Sequence, residues 1–218
     1  MTSGYIRYNL KIIQSRGKSR IGMLEFTARK NLKLKVSNYQ MEIILGCLLG
    51  DAYITKSGKI PFEQCIKQLP YLKWKYKKLN NLAYGLPSFV TRYDARYGRE
   101  YQSARFWFRQ YFRPLREKFY PEGSKVFPIN YQKYFTRLAL AVWYMDDGNI
   151  YKSSNIKISA DSFDQSSREV LVALLFNKFG IYGTIQSSGK IRISNKSTYD
   201  FLNLVRPYIH SSIAYKLI

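Results

Sequence analysis

The hydrophobic pattern of the chain contains two long apolar segments, each followed by an abrupt change of period. Residues 39–50 (YQMEIILGCLLG) and 136–145 (TRLALAVWYM) are hydrophobic on nearly every side of a helix. A helix of this composition must be buried over most of its surface. The pattern therefore predicts two core helices. Gly46 and Gly50 in the first segment would let the helices approach closely, since glycine has no side chain.

Alternation of apolar and polar residues follows each segment and predicts strands with one buried and one solvated face. The polar positions on the solvated faces are largely basic. Helical spacing returns in residues 71–85 and 166–180, which end at Gly85 and Gly180, a residue type common just past a helix end. The apolar positions of the alternating segments are Ala104, Phe106, Phe108, Ile156, Ile158, Ala160, Ile191 and Ile193.

An internal repeat organises these elements. "DAYITKSGKI" begins at Asp51 and "DGNIYKSSNI" begins 96 residues later at Asp147, with five of ten positions identical. Each copy follows one of the apolar segments, so the similarity extends well beyond ten residues. The sequence predicts an α+β fold of tandem αββαββα repeats with pseudo-twofold symmetry.

The repeat divides the chain into four regions. Residues 1–36 form a basic N-terminal arm with nine Lys or Arg residues and a single acid. The first half-domain is expected at 37–120 and the second at 137–218. The linker at 121–136 contains prolines and a glycine that interrupt regular structure.

The charge of the chain is strongly unbalanced. It has 36 Lys and Arg residues against 14 Asp and Glu residues, a formal net charge of +22. Such an excess attracts polyanions, of which nucleic acid is the commonest. A merely soluble basic protein and a protein of anionic membrane surfaces are the alternatives. The even spread of basic residues argues against the second, and no segment is apolar enough to span a membrane.

Cysteine and histidine are too scarce for several kinds of site. Cys47 and Cys65 lack a CxxC spacing and are predicted to be buried free thiols in a reducing compartment. His210 is the single histidine, which excludes zinc sites and nuclease centres that need two or more.

The two aspartates of the repeat point to metal chemistry. If the apolar helices lie side by side, Asp51 and Asp147 meet at their C-terminal ends, where the helix dipole disfavours negative charge. Two close carboxylates repel unless a cation intervenes, and Mg²⁺ prefers carboxylate oxygens. Such a cation would activate water for attack on phosphorus. The alternative is that both aspartates merely end helices, but the repeated context in a basic chain favours the metal interpretation.

The same residues carry a family resemblance. "ILGCLLGDA" (44–52) and "LAVWYMDDG" (140–148) resemble the paired motifs of the LAGLIDADG homing endonucleases in their monomeric two-motif form. Residues 119–128, 175–181 and 214–217 also resemble segments of the branch that contains the yeast mitochondrial omega-intron endonuclease. The similarity covers about residues 38–218.

The resemblance implies a set of site residues. Asp51 and Asp147 would hold the metal, Mg²⁺ or Mn²⁺, while Asp146 aligns with Gly50 and would support the site. Lys125 and Lys216 match the lysines of the family's active-site pockets and would stabilise charge on phosphate or order water. Weaker candidates for polar residues near the metal are Gln64 and Asp161.

The resemblance further implies a site-specific endonuclease that hydrolyses both strands of DNA as a monomer. Its antiparallel sheets would form a DNA-binding saddle in the major groove, where base edges are distinguishable. The candidate DNA contacts on the solvated strand faces are Arg92, Arg96, Arg105, Arg109, Lys157, Lys190 and Arg192.

Two non-catalytic functions remain open alternatives. One is an intron maturase that binds RNA and assists group I intron splicing, with exposed aromatic residues stacking on unpaired bases. The other is a DNA-binding regulator that does not cleave. The abundance of Lys, Asn, Ile and Tyr is typical of an A/T-rich genome and predicts an organellar intron. The basic arm would act as a transit peptide or lie along nucleic acid.

Overall fold

The described parts of the chain form two compact units. In a computed structural model, which describes residues 35–108, 112–151 and 154–217, one unit contains Ile54–Pro114. The other contains Ser37–Tyr53 together with Leu115–Ile218. Within the described residues, no helix is both long enough and apolar enough to cross a membrane.

Helices alternate with short antiparallel strands along the described parts of the chain. The elements are α1 (Asn38–Leu49), β1 (Pro61–Cys65), α2 (Leu69–Leu79), β2 (Ser88–Asp94), β3 (Arg99–Trp107), α3 (Arg113–Phe119), α4 (Arg137–Asp147), β4 (Gly148–Tyr151), β5 (Asn155–Ile158), α5 (Gln165–Phe179), β6 (Gly183–Ile185), β7 (Ile191–Ile193) and α6 (Thr198–Val205). Short 3₁₀ helices cover Ile66–Gln68, Ile129–Tyr134, Asn195–Ser197, Arg206–Tyr208 and Ser211–Leu217.

The two predicted core helices are α1 and α4, and they pack directly on each other. All residues from Ile43 to Leu49 and from Leu138 to Met145 are buried. A Cβ atom on Gly46 would lie 2.5 Å from the carbonyl oxygen of Ala139. This distance is shorter than the van der Waals contacts that Cβ atoms make in proteins, so a side chain would not fit here. This confirms that glycine permits the close approach of the helices.

The second sheet lies in the same unit as these helices, in the strand order β4-β5-β7-β6. Its predicted apolar positions, among them Ile156 and Ile191, are fully buried. Helix α5 begins at the N-cap Asp164 and ends before Gly180, which has a left-handed φ of 69°. The predicted helix end at Gly180 is therefore confirmed, and the second repeat has the αββαββα order.

The other unit contains the three-stranded sheet β1-β3-β2, covered on one face by α2. Its core is aromatic, with ring centroids of Phe62 and Phe106 4.8 Å apart and those of Phe62 and Phe108 4.7 Å apart. Tyr76 of α2 meets the ring of Phe106 edge-on at 5.4 Å. The buried alternation of Ala104, Phe106 and Phe108 confirms the strand prediction.

The first repeat differs from the second between Asp51 and Ile60, where no strand forms. The reason is a local turn, in which Thr55 donates to the carbonyl of Lys59 at 2.8 Å and Gly58 donates back to Thr55 at 2.8 Å. Gly58 has a φ of 84°, which favours the turn. Only β1 therefore precedes α2 in this repeat.

Two further predictions are wrong. Helix α2 ends at Leu79 and not before Gly85, because Leu82 and Ala83 turn back, with their N–H groups donating to the carbonyls of Leu79 and Asn80. Cys65 is an exposed free thiol at the end of β1, since the strand alternation turns it away from the core. Cys47 is buried and free, as predicted.

The compact units do not coincide with the predicted half-domains. The unit boundary near Tyr53 separates α1 from the sheet that follows it, because α1 packs on α4. The half-domain boundaries at 37–120 and 137–218 describe a sequence repeat, and they remain a prediction.

Candidate active site

Asp51 and Asp147 occupy corresponding positions at the ends of two packed helices. Helix α1 ends immediately before Gly50, and α4 ends at Asp147 itself. A Cβ atom on Gly50 would lie 2.5 Å from the Cβ atom of Asp146, so the two helix ends are in direct contact. Packing of two apolar helices therefore brings together acids that are 96 residues apart in sequence.

Both aspartates line one cleft of about 510 Å³. Asp51 is exposed, whereas Asp147 is half-buried. The ammonium group of a lysine and several hydroxyl groups also line the cleft. The lining residues that matter for its chemistry are Asp51, Asp147, Lys125, Tyr120, Ser159 and Asp161.

The carboxyl group of Asp147 is in an unfavourable environment for negative charge. Burial, together with repulsion from Asp51 and Asp146, raises its pKa to about 7. The positive charges of Lys125 and Lys216 oppose this rise. Such a carboxyl group is stabilised by a proton or by a cation bound next to it.

Lys125 lies beside the aspartates and is only 9% exposed. Its Nζ is 3.5 Å from the carbonyl oxygen of Ala52 and 4.7 Å from the ring centroid of Phe163. Burial lowers the pKa of Lys125 to about 8, while the charges of Asp147, Asp51 and Asp161 act in the opposite direction. The structure thus brings this predicted lysine to the aspartates.

Lys216 has a different environment at the end of α4. Its Nζ donates hydrogen bonds to the carbonyl oxygens of Tyr144, Met145 and Asp146 at 3.4, 2.7 and 3.2 Å. The hydroxyl of Tyr144 donates in turn to the carbonyl of Lys216 at 2.6 Å. A cation at a helix C-terminus is favourable, so Lys216 stabilises the end of the helix that carries Asp147.

The cleft contains residues that the sequence did not single out. The backbone of Ser159 is held on both sides, since its N–H donates to the carbonyl of Asp147 at 3.2 Å and its carbonyl accepts from the indole of Trp143 at 3.2 Å. Tyr120 lies within residues 119–128, which resemble a family segment, but the sequence did not indicate a role for its side chain. Of the two weaker candidates, Asp161 lines the cleft. Gln64 belongs to the other unit, where it is 6% exposed.

The residues of the cleft fit a hard divalent cation. Among the described residues, no group of three or more His, Cys, Asp or Glu side chains is arranged to hold a metal. Mg²⁺ does not need such a cage, because it binds through one or two carboxylates and completes its shell with water and substrate phosphates. Burial and the repulsion from neighbouring carboxylates raise the pKa of Asp147, and such a cation would offset both effects.

Four of the candidate DNA contacts lie on the outer faces of the two sheets, and two lie just beside the strands. In the first, Arg92 of β2 and Arg105 of β3 lie on the face opposite the aromatic core, and Arg96 lies in the turn between these strands. In the second, Lys157 of β5 lies directly opposite Arg192 of β7, and Lys190 immediately precedes β7. Arg109 and residues 1–34 of the arm lie outside the described residues.

The fold is that of a known endonuclease. The homing endonuclease I-WcaI bound to its DNA recognition sequence superposes with a TM-score of 0.79 and 24% sequence identity, over 96% of this chain and 97% of that one. This likeness confirms the predicted mixture of helices and antiparallel sheets.

Sequence comparison also finds relatives that are named as mRNA maturases. The cytochrome b mRNA maturase bI2 of Saccharomyces cerevisiae is 30% identical over 89% of this chain, which spans 51% of that protein. The bI2 maturase of Debaryomyces hansenii is 28% identical over 86% of this chain and 76% of its own length. The sequence profile of the LAGLIDADG DNA endonuclease family matches residues 41–201, both motif aspartates included. The chain therefore belongs to the LAGLIDADG DNA endonuclease family.

Proposed function

We propose that the chain is a site-specific endonuclease that hydrolyses both strands of a double-stranded DNA target with Mg²⁺ or Mn²⁺. The observation that carries this proposal is the cleft in which Asp51, Asp147 and Lys125 meet at two packed helix ends. Two carboxylates and a buried lysine in a chain of charge +22 are suited to a phosphodiester substrate.

Asp51 and Asp147 would hold the divalent cation. When bound, the cation supplies activation of water and stabilisation of charge on the phosphate oxygens. Asp147 is held in place by the end of α4, and its backbone carbonyl accepts from Ser159. Asp51 follows α1 and is exposed, which leaves its carboxylate accessible to the substrate side of the cleft.

The two lysines would act in different ways. Lys125 lines the cleft, so its ammonium group would stabilise negative charge on the phosphate or order the attacking water. Lys216 would support Asp147 from the end of α4, where its charge opposes the rise of the pKa of Asp147. A direct contact between Lys216 and phosphate remains a prediction from the family resemblance.

The basic outer faces of the sheets would contact DNA. Arginine side chains suit guanine edges in the major groove, while lysine more often neutralises phosphate. The target would be long and specific, and the chain would act as a monomer because it carries both motifs.

Similarity to cytochrome b mRNA maturases supports an organellar location. The chain spans about half of the S. cerevisiae maturase, so the proposed activity refers to this chain and not to a longer protein.

Cleavage of a randomised site library tests the proposal. The parent chain should select a target and linearise plasmids that carry it in Mg²⁺ but not in EDTA. Asp51→Asn and Asp147→Asn should each lower the rate by more than about 100-fold, since a lost ligand costs at least as much as a lost supporting contact. If both variants cut as well as the parent, the assignment of the metal ligands is wrong.

A second candidate function is RNA binding in intron splicing. The names of the curated relatives favour it, and so does an exposed aromatic pair, Phe176 and Tyr182, whose ring centroids are 4.8 Å apart. Exposed aromatic rings can stack on unpaired bases. Chelation separates the two functions, because strand cleavage should vanish in EDTA while RNA binding should largely persist. A regulator that binds DNA without cleaving it would show tight specific binding and no cut product in Mg²⁺.

A further inference from the structure

An acid lies on the basic outer face of the first sheet, on its edge strand β1. Glu63 on β1 lies directly opposite Arg105 on β3. Its carboxylate accepts hydrogen bonds from both terminal nitrogens of Arg92 on β2, one of them at 3.0 Å. Because β3 lies between β1 and β2, this ion pair reaches across the full width of the sheet.

Ser103 on the central strand completes the network. Its hydroxyl donates to Glu63 and lies 3.4 Å from Nη1 of Arg92. Hydrogen bonds from Arg92 and Ser103, with the charges of Arg92 and Arg105, hold the pKa of Glu63 below its usual range against a smaller opposing effect of burial. The side chains of Arg92 and Glu63 remain 54% and 30% exposed, so the network is accessible from solvent.

The network differs from the other described ion pair on this sheet. Arg96, in the turn after β2, pairs with Asp94 only two residues away at the end of β2, and the side chain of Arg96 is 81% exposed. That pair needs no sheet to form. The Glu63–Arg92 contact joins residues 29 positions apart and depends on the strand register.

The geometry has two consequences for an approaching duplex. A guanidinium has five N–H donors in a rigid fork, so Arg92 keeps donors for a second partner while Glu63 fixes its direction. The carboxylate also repels phosphate, and it can accept a hydrogen bond from cytosine N4. A phosphate contact is therefore disfavoured at this point of the face, and a base-edge contact is favoured.

We propose that Glu63 is a specificity-determining residue of the DNA-binding face. The Glu63 carboxylate holds the guanidinium of Arg92 in position to read a base edge. The inference rests on the proposed function, since it takes duplex DNA as the ligand of this sheet. Glu63 acts through Arg92 and is a positioning residue. Its loss would release Arg92 to bind phosphate without regard to sequence.

Salt dependence of binding is the first test. The full chain is titrated against a fluorescent 30-base-pair duplex of arbitrary sequence, without metal, over a range of KCl concentrations. Glu63→Gln should steepen the slope of log K against log salt by about 1, because one more phosphate is neutralised. An unchanged slope would count against release of Arg92. Melting temperatures establish that each variant is folded.

Base discrimination is the second test. The target selected by the parent is varied one base pair at a time, and cleavage rates are compared. Glu63→Gln should lose roughly 5- to 100-fold discrimination at one base pair. Arg92→Lys, which keeps the charge but not the fork, should lose discrimination at the same base pair.

The control is Asp94→Asn, which removes the same charge from the local ion pair. It should keep the parental discrimination at the base pair that Glu63→Gln affects. The inference is overturned if Glu63→Gln keeps the parental profile everywhere, or if Asp94→Asn produces the same loss. If the parent cleaves no target, the proposed function fails, and the salt slopes still decide whether Glu63 restrains Arg92.

Discussion

The ends of α1 and α4 carry corresponding aspartates in opposite surroundings. At the end of α1, Asp51 is exposed and the nearby Lys125 faces the cleft. At the end of α4, Asp147 is half-buried, and Lys216 is bound to the helix carbonyls behind it. The difference shows that a repeated motif does not create two equal carboxylates. The environment of each acid depends on how its own helix end is packed, and Lys125 acts on Asp147 as well as on Asp51.

The largest expected effect that distinguishes the two helix ends is on catalysis. Lys125→Met should lower the rate of target cleavage by about 100-fold, since it removes a donor from the cleft in which the proposed reaction would place the phosphate. The measurement is single-turnover cleavage in Mg²⁺. The control is Lys178→Met, because Lys178 also donates to backbone carbonyls, those of Gln132 and Phe135, but does not line the cleft. Equal losses in both variants would contradict a specific role for Lys125.

The contact between the helix ends should be sensitive to a single methyl group. Gly50→Ala places a Cβ atom 2.5 Å from that of Asp146 and should destabilise the fold by roughly 1–3 kcal/mol through overpacking. Chemical denaturation measures the loss.

The double variant Gly50→Ala with Asp146→Gly provides the control for this contact. It should be more stable than the sum of the two single effects predicts, because the atom that the methyl group meets is absent. Strict additivity would show that the two positions do not touch.

The lysine at the end of α4 should matter more for stability than for chemistry. Lys216→Met removes hydrogen bonds to three carbonyls and should cost about 1–2 kcal/mol, a fall in melting temperature of roughly 2–8 °C. Tyr144→Phe, which loses the bond to the carbonyl of Lys216, should cost about 1 kcal/mol. If Lys216→Met melts like the parent but cuts as poorly as Lys125→Met, then Lys216 acts at the phosphate.

The smallest effect concerns Asp147 without metal. Its pKa rises from 3.8 to about 7 on folding, so the free energy of unfolding falls as pH increases through this window. At pH 8 in EDTA, Asp147→Asn should therefore raise the melting temperature by roughly 2–4 °C, equivalent to about 1 kcal/mol after allowance for solvent screening. The comparison variant Asp51→Asn should change it less, because Asp51 is exposed. A lower melting temperature for Asp147→Asn would show that Asp147 is stabilising even without a cation.

The elements that sequence predicted well are those whose burial is nearly complete. The segments Ile43–Leu49 and Leu138–Met145 are buried at every residue, so their largely apolar composition alone indicates core helices. The errors lie where local hydrogen bonds compete with the pattern. Residues 51–60 resemble the strand-forming copy, but the turn closed at Gly58 uses their backbone groups.

Some residues of the candidate site were predictable from the sequence, and others were not. The repeat and the family resemblance named Asp51, Asp147 and Lys125, and the structure brings these three to one cleft. Ser159 and Tyr120 carried no signal of their own, because they enter the cleft only through packing. The restraint of Arg92 by Glu63 was equally hidden, since it depends on the register of three strands.

The sequence by itself determined the two apolar helices, the strand alternation of their neighbours and the repeated aspartates, because these follow from local period and composition. Only the tertiary structure decided what each charged residue does. Whether Lys216 faces a phosphate or the end of a helix, and whether Arg92 is free or held by Glu63, depends on distances across the fold. Electrostatic interactions weaken with distance and strengthen with burial, and neither quantity is set by position along the chain.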